Sequence, residues 1–214
     1  MTLDFFAIFG VITTVFTVVN AVLYLRGYSF QNIAFRYFAV YVLMLSFTEV
    51  LGFVLGKMFH VSNLFVVSLY TVLQFGFLSF FYASLLKSNW VKVICGVVFL
   101  ILIGQFIAEP NLLLKYNPLG TIMTHLVLVS YAVIYFYRSL NKTKEFIIVN
   151  SGVFIYLLAS ALIFASGNLV LFLDLPENTY LILINVNRVL FCVYQVFICV
   201  EWYRNYRPKK SITN

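Results

Sequence analysis

Glu49, Gln74, His125, Asn185 and Arg188 are the residues of this chain best placed to do chemistry, because each interrupts a long apolar run. An ionisable side chain in lipid is expensive and normally faces a bundle interior or a water-filled cavity. At a helical rise of ~1.5 Å per residue, Glu49 lies roughly 10 Å below one end of its run and Arg188 roughly 13 Å below the matching end of another. His125 and Gln74 fall at about that depth too, and Gln105, Ser166, Asn168, Asn185 and Asn187 lie in the same half. Such a grouping would make a ligand-binding pocket open to the outside, floored by Glu49 and Arg188 and lined by Gln74, His125 and Asn185. The competing expectation is structural: a Glu49–Arg188 ion pair, with amides joining helices through hydrogen bonds worth ~0.6–2 kcal/mol each. His125 alone reads first as an interhelical hydrogen bond and only second as a ligand contact or proton carrier. Asn20, Asn150 and Gln195 lie in the other half and read as isolated helix-joining amides, while Arg26 and Arg36 can snorkel to the boundary.

Catalytic patterns are missing. The chain has no HExxH, no GxSxG, no paired carboxylates and no Gly-rich phosphate loop. Glu49 is the only acid that the apolar pattern places deep in the bundle, so two-carboxylate acid/base work lacks its second member. His60 and His125 are far apart in sequence and depth, which argues against a metal site. A retinal Schiff base would need a lysine in the last apolar run, where the mid-run cation is Arg188. Cys95, Cys192 and Cys199 all fall inside apolar runs without CxxC spacing, and read as small hydrophobes. The expectation is a non-enzymatic protein with no cofactor and no metal.

The elements that must position these residues follow from composition. Of the 214 residues 63% are hydrophobic and only 10% charged, against roughly a quarter charged in soluble domains. Runs at about 5–25, 33–56, 64–86, 91–108, 119–139, 146–172 and 179–203 are each close to or above the ~18–20 residues that span a bilayer as a helix. The sixth is long enough to tilt, or to break near Ser166-Gly167-Asn168. The alternation of barrel strands does not occur. The fold class is therefore all-α: a polytopic membrane protein of seven transmembrane helices, in a single domain over 1–214, with a short basic tail at 204–214.

Charge placement sets the expected topology. Under an alternating path Arg26, Arg36, Lys87, Lys92, Arg138, Lys142, Lys144, Arg204, Arg207, Lys209 and Lys210 all share one side, whereas only Lys57 and Lys115 share the other. The positive-inside rule then puts the N-terminus outside and the C-terminus cytoplasmic. Asp4, Glu109, Asp174 and Glu177 fall outside, in agreement. The net charge of +7 sits at helix ends rather than along one face, so no nucleic-acid partner is expected. The first run lacks a basic n-region and reads as a retained anchor. The tail reads as an aromatic belt and a stop on the anionic cytoplasmic face.

Connections are short and carry turn chemistry, as at Arg26-Gly27-Tyr28-Ser29, Glu109-Pro110-Asn111 and Asn117-Pro118. A faint internal echo joins Tyr24-Leu25-Arg26 to Tyr137-Arg138, Tyr41/Gly52 to Tyr156/Gly167, and Thr71-Val72-Leu73 to Arg188-Val189-Leu190, at offsets of about 112 to 117 residues. That spacing is compatible with a 3+1+3 parallel repeat around the fourth span.

The segment Phe146-Ile147-Ile148-Val149-Asn150-Ser151-Gly152-Val153-Phe154-Ile155-Tyr156, with Ser166-Gly167-Asn168 and Leu171-Phe172-Leu173 beyond it, resembles the sixth span of a family of small, uncharacterised seven-span bacterial membrane proteins. Val149 departs from that pattern, which has an aromatic or Ile there. The resemblance covers about 30 residues plus span count and length. Some members stand beside or fused to histidine kinases, so it implies a sensory membrane region and carries over no site residue. The functional expectation is a sensor or receptor in the cytoplasmic (inner) membrane of a bacterium. It would act on a separate cytoplasmic or membrane partner such as a histidine kinase, because no loop and no tail here can hold an output domain. The alternatives are a small-solute transporter of 3+1+3 architecture and a structural subunit of a larger membrane complex.

Overall fold

Seven helices with short connections make up the computed structural model of the protein, which describes residues 2–29, 31–59, 64–114, 117–140, 145–172 and 177–207. His60, Lys115, Lys142, Lys144, Asp174 and residues 208–214 with Lys209 and Lys210 lie outside the described residues, as do the side chains of Asp4, Lys57, Asn168 and Glu177. In chain order the helices are α1 (Thr2–Gly27), α2 (Ile33–Phe53), α3 (Leu64–Leu86), α4 (Trp90–Ala108), α5 (Pro118–Ser139), α6 (Ile147–Phe172) and α7 (Glu177–Glu201). A π-helical turn extends α2 over Val54–Met58 and another extends α7 over Trp202–Tyr206; a 3₁₀ turn, Pro110–Leu113, follows α4. No strand occurs among the described residues, and all seven helices are long and apolar enough to cross a membrane. This is the all-helical, seven-span architecture expected from hydropathy.

Helix starts follow local chemistry. Asn32 Oδ1 accepts from Phe35 N at 2.9 Å, and Asn117 Oδ1 accepts from Gly120 N at 3.0 Å. Each cap satisfies one orphan donor of its helix, worth ~1 kcal/mol. Pro118 begins α5, where its missing N–H costs nothing. The helix α6 continues unbroken through Ser166-Gly167-Asn168 to Phe172. A continuous helix keeps every backbone group paired where lipid offers no substitute.

Six helices close a ring. Neighbours pack in the order α1, α2, α3, α5, α6, α7 and back to α1, while α4 packs against α3 outside the ring. Side-chain pairs give the directions. Asn20 pairs with Gln195 and Tyr24 with Ile198, so α1 and α7 run parallel. Gln74 pairs with His125 and Leu86 with Arg138, so α3 and α5 do too. Turning the ring by half maps α1-α2-α3 onto α5-α6-α7 with the same neighbours. Outward on α4, Val93, Val97, Leu100, Ile103 and Ile107 form an exposed stripe at helical spacing, the face that lipid covers.

The ends of α1, α3, α5 and α7 gather at one end of the bundle, called here the basic end. Its interior is aromatic: Phe81 and Phe146 meet edge to face at 5.1 Å, Tyr24 stacks on Phe35 at 5.2 Å, and Tyr206 lies 4.6 Å from Phe35. Between α6 and α7 the approach is tight at Gly152, where an added Cβ would meet Phe197 Cβ at 2.8 Å and Tyr194 Cδ2 at 3.0 Å. Gly152→Ala is expected to cost about 1–3 kcal/mol by overpacking. Thermal unfolding in a fixed lipid checks this, and an unchanged midpoint would mean that α6 and α7 do not touch there.

Candidate functional site: a polar seam inside the ring

The seam is built in three levels. At the level farthest from the basic end, Gln74 on α3 donates Nε2–H to Tyr70 Oη at 2.6 Å and to Tyr41 Oη at 3.3 Å, and its Oε1 faces His125 Nε2 at 3.2 Å. Both Gln74 and His125 are buried. With the Gln74 amide nitrogen turned to the two phenols its oxygen faces His125, and this orientation assigns the ring proton to His125 Nε2. His125 Nδ1 is then a bare acceptor, and it is buried with no partner. Tyr156 lies close to Tyr70. Tyr194 comes close to Tyr41, but its hydroxyl is off hydrogen-bond geometry.

Glu49 and Arg188 flank this level, both half-buried. The Arg188 guanidinium lies within electrostatic reach of the Glu49 carboxyl, and Glu49 within reach of Tyr156. Asn185 is half-buried and joins no hydrogen bond of the network among the described residues. Ser166 is exposed, and Gln105 Oε1 and Asn187 Oδ1 are buried without partners. The structure thus brings Gln74 and His125 into direct contact, sets Glu49 near Arg188, and leaves Asn185 apart. Reversing either charge of the Glu49/Arg188 pair should lower expression, and exchanging both charges should restore part of it. Equal yields for the double and the single reversals would dissolve the pair.

One turn further from the basic end, Thr71 and Thr121 line a cleft between α3, α4 and α5 with Val67, Ser68, Leu102 and Phe106. Its volume of about 20 Å³ is room for a single water. Neither Glu49 nor Arg188 lines it.

The middle level joins α1 to α7, and α6 to both α3 and α5. Asn20 Nδ2 donates to Gln195 Oε1 and to the Gln195 carbonyl, both at 3.0 Å. Tyr82 Oη donates to Asn150 Oδ1 at 2.7 Å, and Asn150 Nδ2 donates to the Ala132 carbonyl at 3.1 Å. The three inner-half amides are therefore not isolated: two bond each other and the third bridges α3, α6 and α5.

At the basic end Glu201, the last residue of α7, is a second enclosed acid, wholly buried although it stands at the end of the bundle rather than deep within it. Its carboxylate accepts from the backbone N–H groups of Phe146 (3.2 Å), Ile148 (3.0 Å) and Val149 (3.2 Å), and from Asn205 Nδ2. A carboxylate supplied by α7 thereby caps the start of α6, where the helix dipole favours negative charge. Arg138 does the converse, donating Nη1–H to the Leu86 carbonyl at 2.8 Å at the end of α3. Hydropathy placed Glu201 in the last turn of the seventh run, 179–203, and gave no sign of burial. The available signal was an acid four residues before an amide, just where a span ends.

Among the described residues no three His, Cys, Asp or Glu side chains converge as a metal set. Cys95 is buried and Cys192 and Cys199 half-buried, all as free thiols. The fold and the seam together define a multi-pass, seven-helix membrane protein with an aromatic and amide core. No family model, curated protein or solved structure matches the chain.

Proposed function

We propose that this is a non-enzymatic sensor or receptor of a bacterial cytoplasmic membrane, with its N-terminus outside and its basic end in the cytoplasm. It acts through a separate cytoplasmic or membrane partner, such as a histidine kinase. The supporting observation is the Tyr41–Tyr70–Gln74–His125 network, which ties α2, α3 and α5 together in the half away from the basic end and leaves His125 Nδ1 as an unused acceptor. A ligand that brings an N–H or O–H donor to this level gives Nδ1 a partner that the present packing withholds. Only such differential contact can shift helices. Glu201, holding α6 to α7 at the basic end, is the element through which a shift of those helices would reach a partner.

A second reading, a small-solute carrier, is favoured by one observation: the ring keeps its neighbour order when turned by half, as parallel three-helix repeats would. Tyrosines and phenylalanines filling the ring interior weigh against a solute path. The test uses protein in nanodiscs, screened by thermal unfolding against polar small molecules and ions. A sensor is expected to give a hit whose stabilisation is lost in His125→Leu and which is not accumulated by proteoliposomes. Gradient-driven uptake of that same compound would overturn the sensor reading in favour of the carrier.

A further inference from the structure

Four arginines stand on adjoining element ends at the basic end: Arg26 in the last turn of α1, Arg36 in the first turn of α2, and Arg204 and Arg207 around the π-helical turn that follows α7. The corner is held from beneath by ring contacts. Phe35 packs on Tyr24 at 5.2 Å and on Tyr206 at 4.6 Å, and α1 touches the Trp202–Tyr206 turn. All four arginines are exposed.

Among the described residues none of the four guanidinium groups has a carboxylate partner. Arg36 reaches the Ser29 carbonyl at 3.4 Å and lies over the Tyr28 ring, and Arg207 bonds Tyr203 Oη at 2.9 Å and lies over its ring. Glu201 is buried against α6, while Glu145, which accepts from Asn32 at the start of α2 and lies within electrostatic reach of Tyr206, stands beside the corner without pairing to any of the four. Leading away from this corner, the parallel helices α1 and α7 expose Val15, Val18 and Val22, and Val193, Val196 and Val200. Along these helices the exposed surface is apolar, and it ends at two phenols and four arginines that have no carboxylate partner among the described residues.

We propose that this corner binds the headgroup of an anionic phospholipid, with the arginines on its phosphate and the acyl chains along the valine strip of α1 and α7. Guanidinium groups match phosphate oxygens in a two-pronged fork, which a point-charge ammonium does not. The exposed Tyr28 and Tyr203 stand where amphipathic rings mark the headgroup layer. The valine strip selects a tethered phosphate over a free one, because only a lipid offers both parts. The inference holds for whichever leaflet the basic end faces, and it does not depend on the sensor reading.

The experiment compares protein in nanodiscs of phosphatidylcholine alone with nanodiscs containing phosphatidylglycerol, reading retained lipid by native mass spectrometry and stability by thermal unfolding. The wild type is expected to retain phosphatidylglycerol and to unfold at a higher temperature in its presence. Arg204→Gln/Arg207→Gln should weaken retention roughly tenfold or more. Lys87→Gln/Lys92→Gln, which removes equal charge at the α3–α4 corner, should leave it unchanged. Arg204→Lys/Arg207→Lys keeps charge and exposure, so folding is not at issue, and should give an intermediate loss. Equal loss in the two glutamine doubles would overturn the proposal in favour of diffuse attraction, as would retention unaffected by either arginine double. Stabilisation by inorganic phosphate alone, to the same extent as by the lipid, would overturn it in favour of a soluble anion.

Discussion

Glu201→Ala is expected to lower the stability of the protein by about 3–5 kcal/mol and to open the start of α6 to hydrogen exchange. The carboxylate satisfies three backbone donors of α6 at 3.0–3.2 Å, and a buried donor stripped of its partner costs about 1–3 kcal/mol. Water reaching the bundle end recovers part of that, which holds the total below the simple sum over three donors. Phe146 adds a local strain, for its φ of 57° lies in the left-handed region while its ring is fully buried among Phe38, Phe81 and Tyr206. A non-glycine residue held there costs about 1–3 kcal/mol and persists only when its surroundings over-determine it. Removing the carboxylate takes away one of those surroundings, so the exchange of residues 146–149 should rise more than that of mid-α6. Glu201→Gln keeps one acceptor oxygen and should lie between wild type and alanine. If the alanine variant unfolds at the wild-type temperature with residues 146–149 still protected, the cap is not holding α6.

The bilayer explains why the helices were legible and the cap was not. Lipid demands long apolar stretches with internally paired backbones, so α3, as Leu64–Leu86, can be read from composition alone. Asn32 and Asn117-Pro118 announce helix starts through chemistry local to the chain. Rotation about a helix axis leaves no such trace when the helix is apolar all round. Gln74 and His125 could be matched in depth, but that they touch, and that Asn185 stands apart, depends on which face each helix turns inward. The tyrosines were hidden for a related reason. Tyr41, Tyr70 and Tyr82 count as aromatic bulk in hydropathy, although a buried phenol almost always needs a partner. Glu201 sits at a span boundary, where a carboxylate is ordinarily solvated, and only the fold of α6 against α7 encloses it.

Gln74 and His125 should respond very unequally to the same substitution, although they share a hydrogen bond. Gln74→Leu strands three groups at once: the Tyr41 and Tyr70 hydroxyls and the Nε2–H of His125. With each buried polar group costing about 1–3 kcal/mol and the phenols able to turn toward each other and Tyr156, the net loss is expected to be about 2–4 kcal/mol. His125→Leu strands only Gln74 Oε1 and removes an acceptor, Nδ1, that has no partner in the fold. Its expected effect on stability is therefore within about 1 kcal/mol. The double variant should lose less than the two singles added together, because Gln74→Leu no longer strands the imidazole once it is gone. Thermal or denaturant unfolding of the four proteins in one lipid measures this cycle. Additivity within about 0.5 kcal/mol would mean that the 3.2 Å contact carries no energy. A His125→Leu loss as large as that of Gln74→Leu would mean that Nδ1 is already satisfied in the membrane. The unused acceptor, and with it the reason to look for a ligand at this level, would then be gone.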